Sequence, residues 1–204
     1  MIDDDLQSII ASTKGFMPAD EGHALHKAGV AAGRIGPLLE VGSYCGLSAL
    51  YLGAAAREVG TVLVTIDHHR GSEETQPGWE HHDPEVVDST TGRIDTLPFL
   101  RAALERAGLE DVVVAVIGQS PLVASLLGGG LGLVFIDGGH SIDVVRADYE
   151  AWAGHIAHGG LLAIHDVFED PAAGGQAPFE IWLRAVRDGF TPVSTTGSLR
   201  ILRR

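Results

Sequence analysis

Short apolar runs that end on glycine or on an acid alternate along this chain with stretches of helical period. Such runs occupy 38–41, 61–66, 112–117, 133–136 and 161–164, and the residues that close them are Gly42, Asp67, Gly118, Asp137 and the pair His165-Asp166. They are rich in leucine, valine and isoleucine and do not alternate strictly with polar residues, which is the pattern of strands buried on both faces. Helical period or composition predicts helices at 6–13, 20–32, 48–59, 97–107, 142–152 and 179–187. Asp20 is the expected N-cap of the second of these, and Gly33 with Gly36-Pro37 ends it. At the far end, 191–195 and 199–202 flank Thr196-Gly197-Ser198, a hairpin signal.

Strand and helix alternate five times before that hairpin. The expectation is an α/β fold: a doubly wound, mostly parallel seven-stranded sheet of Rossmann-like type with an antiparallel C-terminal hairpin, forming one domain over 1–204. Ligands of such a sheet sit outside the carboxyl ends of its strands. The stretch 68–95 breaks the scheme, because it has no sustained period and carries paired histidines, glycines, prolines and many charges. A segment of that length between elements is read as a lid or substrate loop, or as a plain solvated surface loop.

Charge then removes some classes of function. Fourteen Lys and Arg against 27 Asp and Glu give a net charge of −13, so no nucleic-acid partner is expected. Cys45 is the only cysteine, which rules out a disulfide within the chain, and it is read as a small packing residue. The acidic start Asp3-Asp4-Asp5 is unlike a signal peptide, and no apolar run has the length of a membrane span. The expectation is a soluble cytoplasmic protein with no membrane partner.

The polar chemistry gathers where the strands end. After the first strand come Glu40, Gly42, Ser43 and Gly46, a glycine turn that lets backbone approach a ligand closely. Asp67 ends the second strand, where a carboxylate can accept from both hydroxyls of a ribose or can simply cap a helix. A dinucleotide fingerprint would need a third glycine between Gly42 and Gly46, and this chain lacks it. Acid-x-Gly-x-x-x-Gly followed by an acid after the second strand resembles the site of class I S-adenosylmethionine (SAM) dependent methyltransferases. That resemblance implies SAM binding by Glu40, Gly42, Ser43, Gly46 and Asp67, with Gln119 and Ser120 after the third strand on the adenine side and Asp137 beside the donor.

The ends of the fourth and fifth strands narrow the resemblance. Asp137, His140, His165 and Asp166 resemble the divalent-metal site of small-molecule and sugar O-methyltransferases. The resemblance implies that Asp137, His165 and Asp166 hold the metal, magnesium first and manganese as the alternative, and that His140 is the general base, with Asp137 also counted in catalysis. His165 departs from the family pattern, in which a carboxylate or amide is usual, and so leaves the metal open. The long loop offers His68, His69, Arg70, Glu73 and Trp79 as acceptor-binding residues, an aromatic ring among hydrogen-bonding groups that suits a sugar. Its histidine pairs, His68-His69 and His81-His82, could also form a second metal site. Loop and metal motifs together resemble the 1-O-methyltransferases of methylmannose polysaccharide synthesis, implying transfer to a hydroxyl of a sugar or oligosaccharide, down to the 1-hydroxyl of a methylated mannoside. A phenolic or catechol-like acceptor is the alternative, and a nicotinamide oxidoreductase or a non-catalytic SAM-binding module are the readings from other classes. Similar small methyltransferases pair, so a homodimer is expected.

Overall fold

The first apolar run forms strand β1 (Leu38–Val41), and every one of its residues is buried, Glu40 included. The computed structural model describes residues 2–79 and 81–204. Its other strands are β2 (Leu63–Asp67), β3 (Val113–Ile117), β4 (Leu131–Ile136), β5 (Ile156–Ile164), β6 (Thr191–Thr196) and β7 (Leu199–Arg203). They make one seven-stranded sheet in the order β3-β2-β1-β4-β5-β7-β6. Strands β1 to β5 pair in parallel, while β7 runs antiparallel to β5 and β6 antiparallel to β7. The mostly parallel, doubly wound sheet with its C-terminal hairpin is therefore the observed fold.

The helices are α1 (Asp4–Ser12), α2 (Ala19–Ala32), α3 (Leu47–Val59), α4 (Leu97–Arg106), α5 (Ser120–Ala124), α6 (Ile142–Trp152) and α7 (Ala177–Arg187). Successive residues of a strand point to opposite faces, and the two cores follow from that. Leu38, Leu133 and Phe135 join the core built on α2, α3 and α4, whereas Leu39, Val134 and Ile136 join the core built on α5, α6 and α7. Among the described residues no helix is long and apolar enough to cross a membrane.

The chain leaves β1 toward β2 and later returns to place β4 on the other side of β1. That reversal opens a crevice above the carboxyl ends of β1 and β4. The turn after β1 is held in shape by Gly42, whose φ is +94° and where any Cβ would collide with the Asp137 carbonyl oxygen. The two strand ends thus touch through a position that only glycine can fill.

One local expectation is corrected, and two regions hold more structure than the apolar pattern expresses. Asp20 does not cap α2: Pro18 stands in the N-cap position and Asp20 lies in the first turn, where its charge complements the helix dipole. Between β3 and β4 lies the short helix α5, which the apolar pattern did not indicate. The described residues of the stretch 68–95 form 3-10 turns at Glu73–Thr75 and Pro84–Val86 and a bridge between Val87 and Ile94. Its own small core packs Val86 and Ile94 against Cys45, and Lys14 clamps it from outside through Asp83 at 2.6 Å and Glu85 at 2.5 Å.

Candidate functional site

A cleft of about 930 Å³ opens at the carboxyl edge of the sheet. Among the described residues, the non-glycine positions with positive φ are Tyr44, His69 and Asp166, in the loops after β1, β2 and β5. Such conformations cost energy and persist where surrounding contacts enforce them, commonly at ligand sites. Asp67 enforces two of the three. Its Oδ2 accepts from the backbone of Ser43 at 3.1 Å and of Tyr44 at 2.9 Å, and its Oδ1 accepts from the backbone of His69 at 2.8 Å.

Beneath this turn runs a buried polar chain. The Ser43 and Thr65 hydroxyls lie 2.5 Å apart, and Thr65 donates onward to Glu40. Burial pushes the Glu40 acid up to about 7 against the pull of the Ser48 and Thr65 hydroxyls. Glu40 therefore sits below the cleft as its support. At the β3 end Gln119 and Ser120 line the cleft, and Trp152 donates its indole N–H to Ser120 Oγ at 2.7 Å.

On the other flank, acids and imidazoles alternate. His165 is buried, with Nε2 2.5 Å from Glu21 Oε2 and Nδ1 3.0 Å from Asp137 Oδ1. Glu21, from α2, also accepts from the backbone of Ser198 in the turn between β6 and β7. Burial works against charge on the His165 ring, but Asp137, Asp166 and Glu21 overcome it and raise its pKa. Burial likewise works against charge on His140, yet Asp166 and Glu74 push that ring up to about 10. His140 Nδ1 is 2.8 Å from Glu74 Oε1, while its Nε2 lies 3.1 Å from Asp166 Oδ2 but out of line for a hydrogen bond.

Residues able to hold a cation converge here. Ligand atoms of Asp137, His140 and Asp166 all lie within 4.8 Å of one another. His165 turns Nδ1 to the same carboxylates, 3.5 Å from Asp166 Oδ2, while Glu21 engages its other nitrogen. A carboxylate that fixes the far side of an imidazole is the arrangement that orients histidine ligands toward metals. The buried, unbonded Nε2 of His140 and the paired carboxylates fit a divalent cation.

The cleft gathers most of the residues picked out by sequence. Gly42, Ser43, Asp67, Gln119, Ser120, Asp137, His140, His165, Asp166 and His68 line it. Glu40 and Gly46 do not; Gly46, at φ +98°, packs on Leu100 as it opens α3. The loop side chains divide differently from the expectation. His69 is buried with Nδ1 2.8 Å from Thr96 Oγ1, and Arg70 reaches away to the Ile94 carbonyl. Glu73 and Trp79 do not reach the cleft, and Trp79 is exposed. Ser72, Glu74 and His81 line it in their place. Of the histidine pairs, His82 is tied to the Thr75 carbonyl at 2.9 Å and His81 packs on the Phe16 ring, so the structure does not bring the four rings together. Glu21, Glu74 and Asp148 are site-lining or site-supporting acids that sequence reasoning missed. Glu21 and His165 are 144 positions apart and Glu74 and His140 are 66 apart, so no local spacing joins them.

Residues 39–167 match the family model described as a methyltransferase domain. Solved structures share the fold. A cofactor-bound protein from MTB superposes with a TM-score of 0.67 at 20% identity, over 98% of this chain and 89% of that one. The O-methyltransferase TomG of Streptomyces achromogenes, involved in tomaymycin synthesis and solved with SAM, gives 0.64 at 17%, over 98% and 89%. The O-methyltransferase of Bacillus cereus, solved with SAH, gives 0.65 at 17%, over 99% and 91%.

Proposed function

The chain belongs to the methyltransferase-domain family, and on that premise we propose that it moves the methyl group of SAM to a hydroxyl oxygen with the help of a divalent metal. One observation carries the reading. The glycine turn suited to the donor and the acid–imidazole cluster suited to the acceptor meet at Asp137, whose carbonyl abuts Gly42 and whose carboxylate engages His165. Donor and nucleophile held in one cleft is the main requirement of a displacement that depends on positioning. The bond from sulfur to methyl breaks with its electron pair left on sulfur, a bond from oxygen to methyl forms, and the hydroxyl proton must leave.

Within this reading Asp67 takes the ribose hydroxyls, Gly42 and Ser43 the donor backbone, and Gln119 and Ser120 the adenine side. Asp137, His165 and Asp166 hold the metal, magnesium or manganese, and Glu21 orients His165. The cation would stabilise the developing alkoxide and offset the carboxylate charge that keeps His140 protonated. His140, tethered by Glu74, is then the proton acceptor. A second reading makes His140 the third ligand in place of His165, favoured by its unbonded Nε2.

For the acceptor we keep a sugar hydroxyl, with the 1-hydroxyl of a methylated mannoside as the finest form. His68, Glu74 and His81 line the cleft and supply hydrogen bonds, and the exposed Phe16 ring packed on His81 supplies a stacking face; a phenolic acceptor is the competing class. One continuous sheet supports treating 1–204 as a single catalytic domain with 68–95 over the acceptor, and exposed apolar side chains at β3 support a homodimer.

The test is methyl transfer against sugar and phenolic panels, with and without chelator, beside manganese and SAH titrations. Chelator should silence the protein, and metal should restore it. Asp137→Ala should lose manganese but keep SAH, and Asp67→Ala should weaken SAH. His140→Ala should slow turnover roughly 10²–10⁴-fold with manganese affinity intact if the ring is the base. Lost manganese affinity in His140→Ala would favour the second reading. Full turnover in chelator, with Asp137→Ala also active, would remove the metal.

A further inference from the structure

Asp148 is a buried acid in the cleft wall that the chemistry above does not use. It stands on α6, is 3% exposed, and lines the cleft beside the β3 end. Burial raises its pKa, and the Ser120 hydroxyl and the His68 ring draw it back down. Trp152, one helical turn along, donates its indole N–H to Ser120 Oγ at 2.7 Å. Toward β4 the carboxylate is uncovered because residue 138 is glycine. A Cβ there would lie 3.1 Å from Asp148 Oδ2.

Burial pushes the Asp148 acid up to about 6, so it is still mostly ionised at neutral pH. A carboxylate offers about four acceptor positions, more than the neighbouring Ser120 hydroxyl can fill. A buried charge left with so few donors is costly unless a ligand supplies more.

The placement of SAM decides which part of it faces Asp148, and here the argument rests on the proposed function. Asp67 takes the ribose. The methionine half must run over the Gly42 turn toward Asp137, because the methyl has to reach a hydroxyl beside the acid–imidazole cluster. The base therefore leaves the ribose the other way, toward Gly118, Gln119 and Ser120, where Asp148 forms the wall. The ring nitrogens at the edges of adenine accept hydrogen bonds, and its exocyclic amine donates them. We propose that Asp148 accepts a hydrogen bond from the adenine amino group and so sets the preference for an adenine cofactor over a 6-oxo purine.

A 6-oxo purine would turn a carbonyl oxygen toward the carboxylate, acceptor against acceptor. Calorimetric titration of S-adenosylhomocysteine and S-inosylhomocysteine into wild type, Asp148→Asn and Asp148→Ala reads this directly. Wild type should favour the adenosyl compound by about 10- to 100-fold, the worth of one hydrogen bond to a charged group. In Asp148→Asn the adenosyl compound should weaken and the inosyl compound tighten, because a carboxamide can donate to the 6-oxo group, and the ratio should fall at least about tenfold. Asp148→Ala should weaken the adenosyl compound alone. A ratio unchanged in both variants overturns the proposal. So does a loss of both compounds in equal proportion, the mark of a purely structural role. Failure of wild type to bind S-adenosylhomocysteine at all would instead overturn the cofactor reading on which the proposal stands.

Discussion

Glu40 lies in mid-strand with no exposed surface and an acid pushed up to about 7 by burial. In the unfolded chain the same group titrates near its ordinary value of 4.5. Between those two values the folded protein keeps a proton that the unfolded chain has released. Stability from this group is therefore present below about pH 4.5, declines as pH rises, and is fully lost above about 7. Glu40→Gln keeps the shape and cannot ionise. Its thermal melt should match wild type near pH 5 and lie above it at pH 8, by at most about 3 kcal/mol. A difference that stays constant from pH 5 to pH 8 would mean that Glu40 does not titrate there. Residues of this kind divide by how far sequence could reveal them. Asp67, Asp137, His165 and Asp166 were legible because each closes an apolar run, and the carboxyl ends of parallel strands share one edge. Asp148 was not legible, since an acid inside an amphipathic helix reads as its solvated face until the packing of α6 against α5 buries it.

At the scale of elements, period decides what can be read. β1 to β5 follow from continuous apolar runs closed by glycine or an acid, and the longer helices from stretches long enough to express a period, whereas α5, five residues opened by Ser120-Pro121, has too few turns to do so. The segment 68–95 failed to yield for another reason. Composition identified residues suited to a sugar but not the direction in which a turn aims them, so Glu74 and not Glu73 reaches His140. Its anchors divide it into two parts. Residues 72–79 and 81–82 hang on the Glu74–His140 pair and the His81 contact with Phe16, while 86–95 are fixed by Val86 and Ile94 in a small core. If the segment acts as a lid, only the first part should move. Hydrogen exchange in 72–82 should slow when SAH and acceptor bind, with 86–95 unchanged. Ile94→Ala, removing methyl groups from a buried site, should cost about 2–5 kcal/mol locally and speed exchange in both parts while leaving α3 and β1 protected. Uniform exchange across 68–95 with and without ligands would end the lid.

The sheet has two edges, and they differ in a way that bears on how the whole molecule associates. At one edge β6 carries Pro192, which cannot donate to a ladder, and its register with β7 shifts between Pro192 and Ser194. Proline and register breaks on an edge strand prevent pairing with another chain. At the other edge β3 reads Val-Val-Ala-Val-Ile without proline or charge, and it exposes Val114 at 51% and Ile117 at 61%. The helix that follows adds Leu122 at 68%, and the turn after it adds Leu126 at 79%. Exposed apolar side chains are ordinary when scattered, but an unprotected edge strand with large apolar neighbours marks an interaction surface. The net charge of −13 opposes casual association, so a pairing through this edge would have to rest on apolar burial. The prediction is a homodimer joined at the β3 edge. Light scattering should give twice the chain mass at micromolar concentration, and Ile117→Lys with Leu126→Lys should give the single mass. Since this edge strand leads directly into Gln119 and Ser120, the double variant should also weaken SAH if the pairing steadies the adenine side, while manganese affinity at Asp137 stays the same. A wild-type chain that remains monomeric at tens of micromolar would refute the dimer and leave the β3 edge as bare surface.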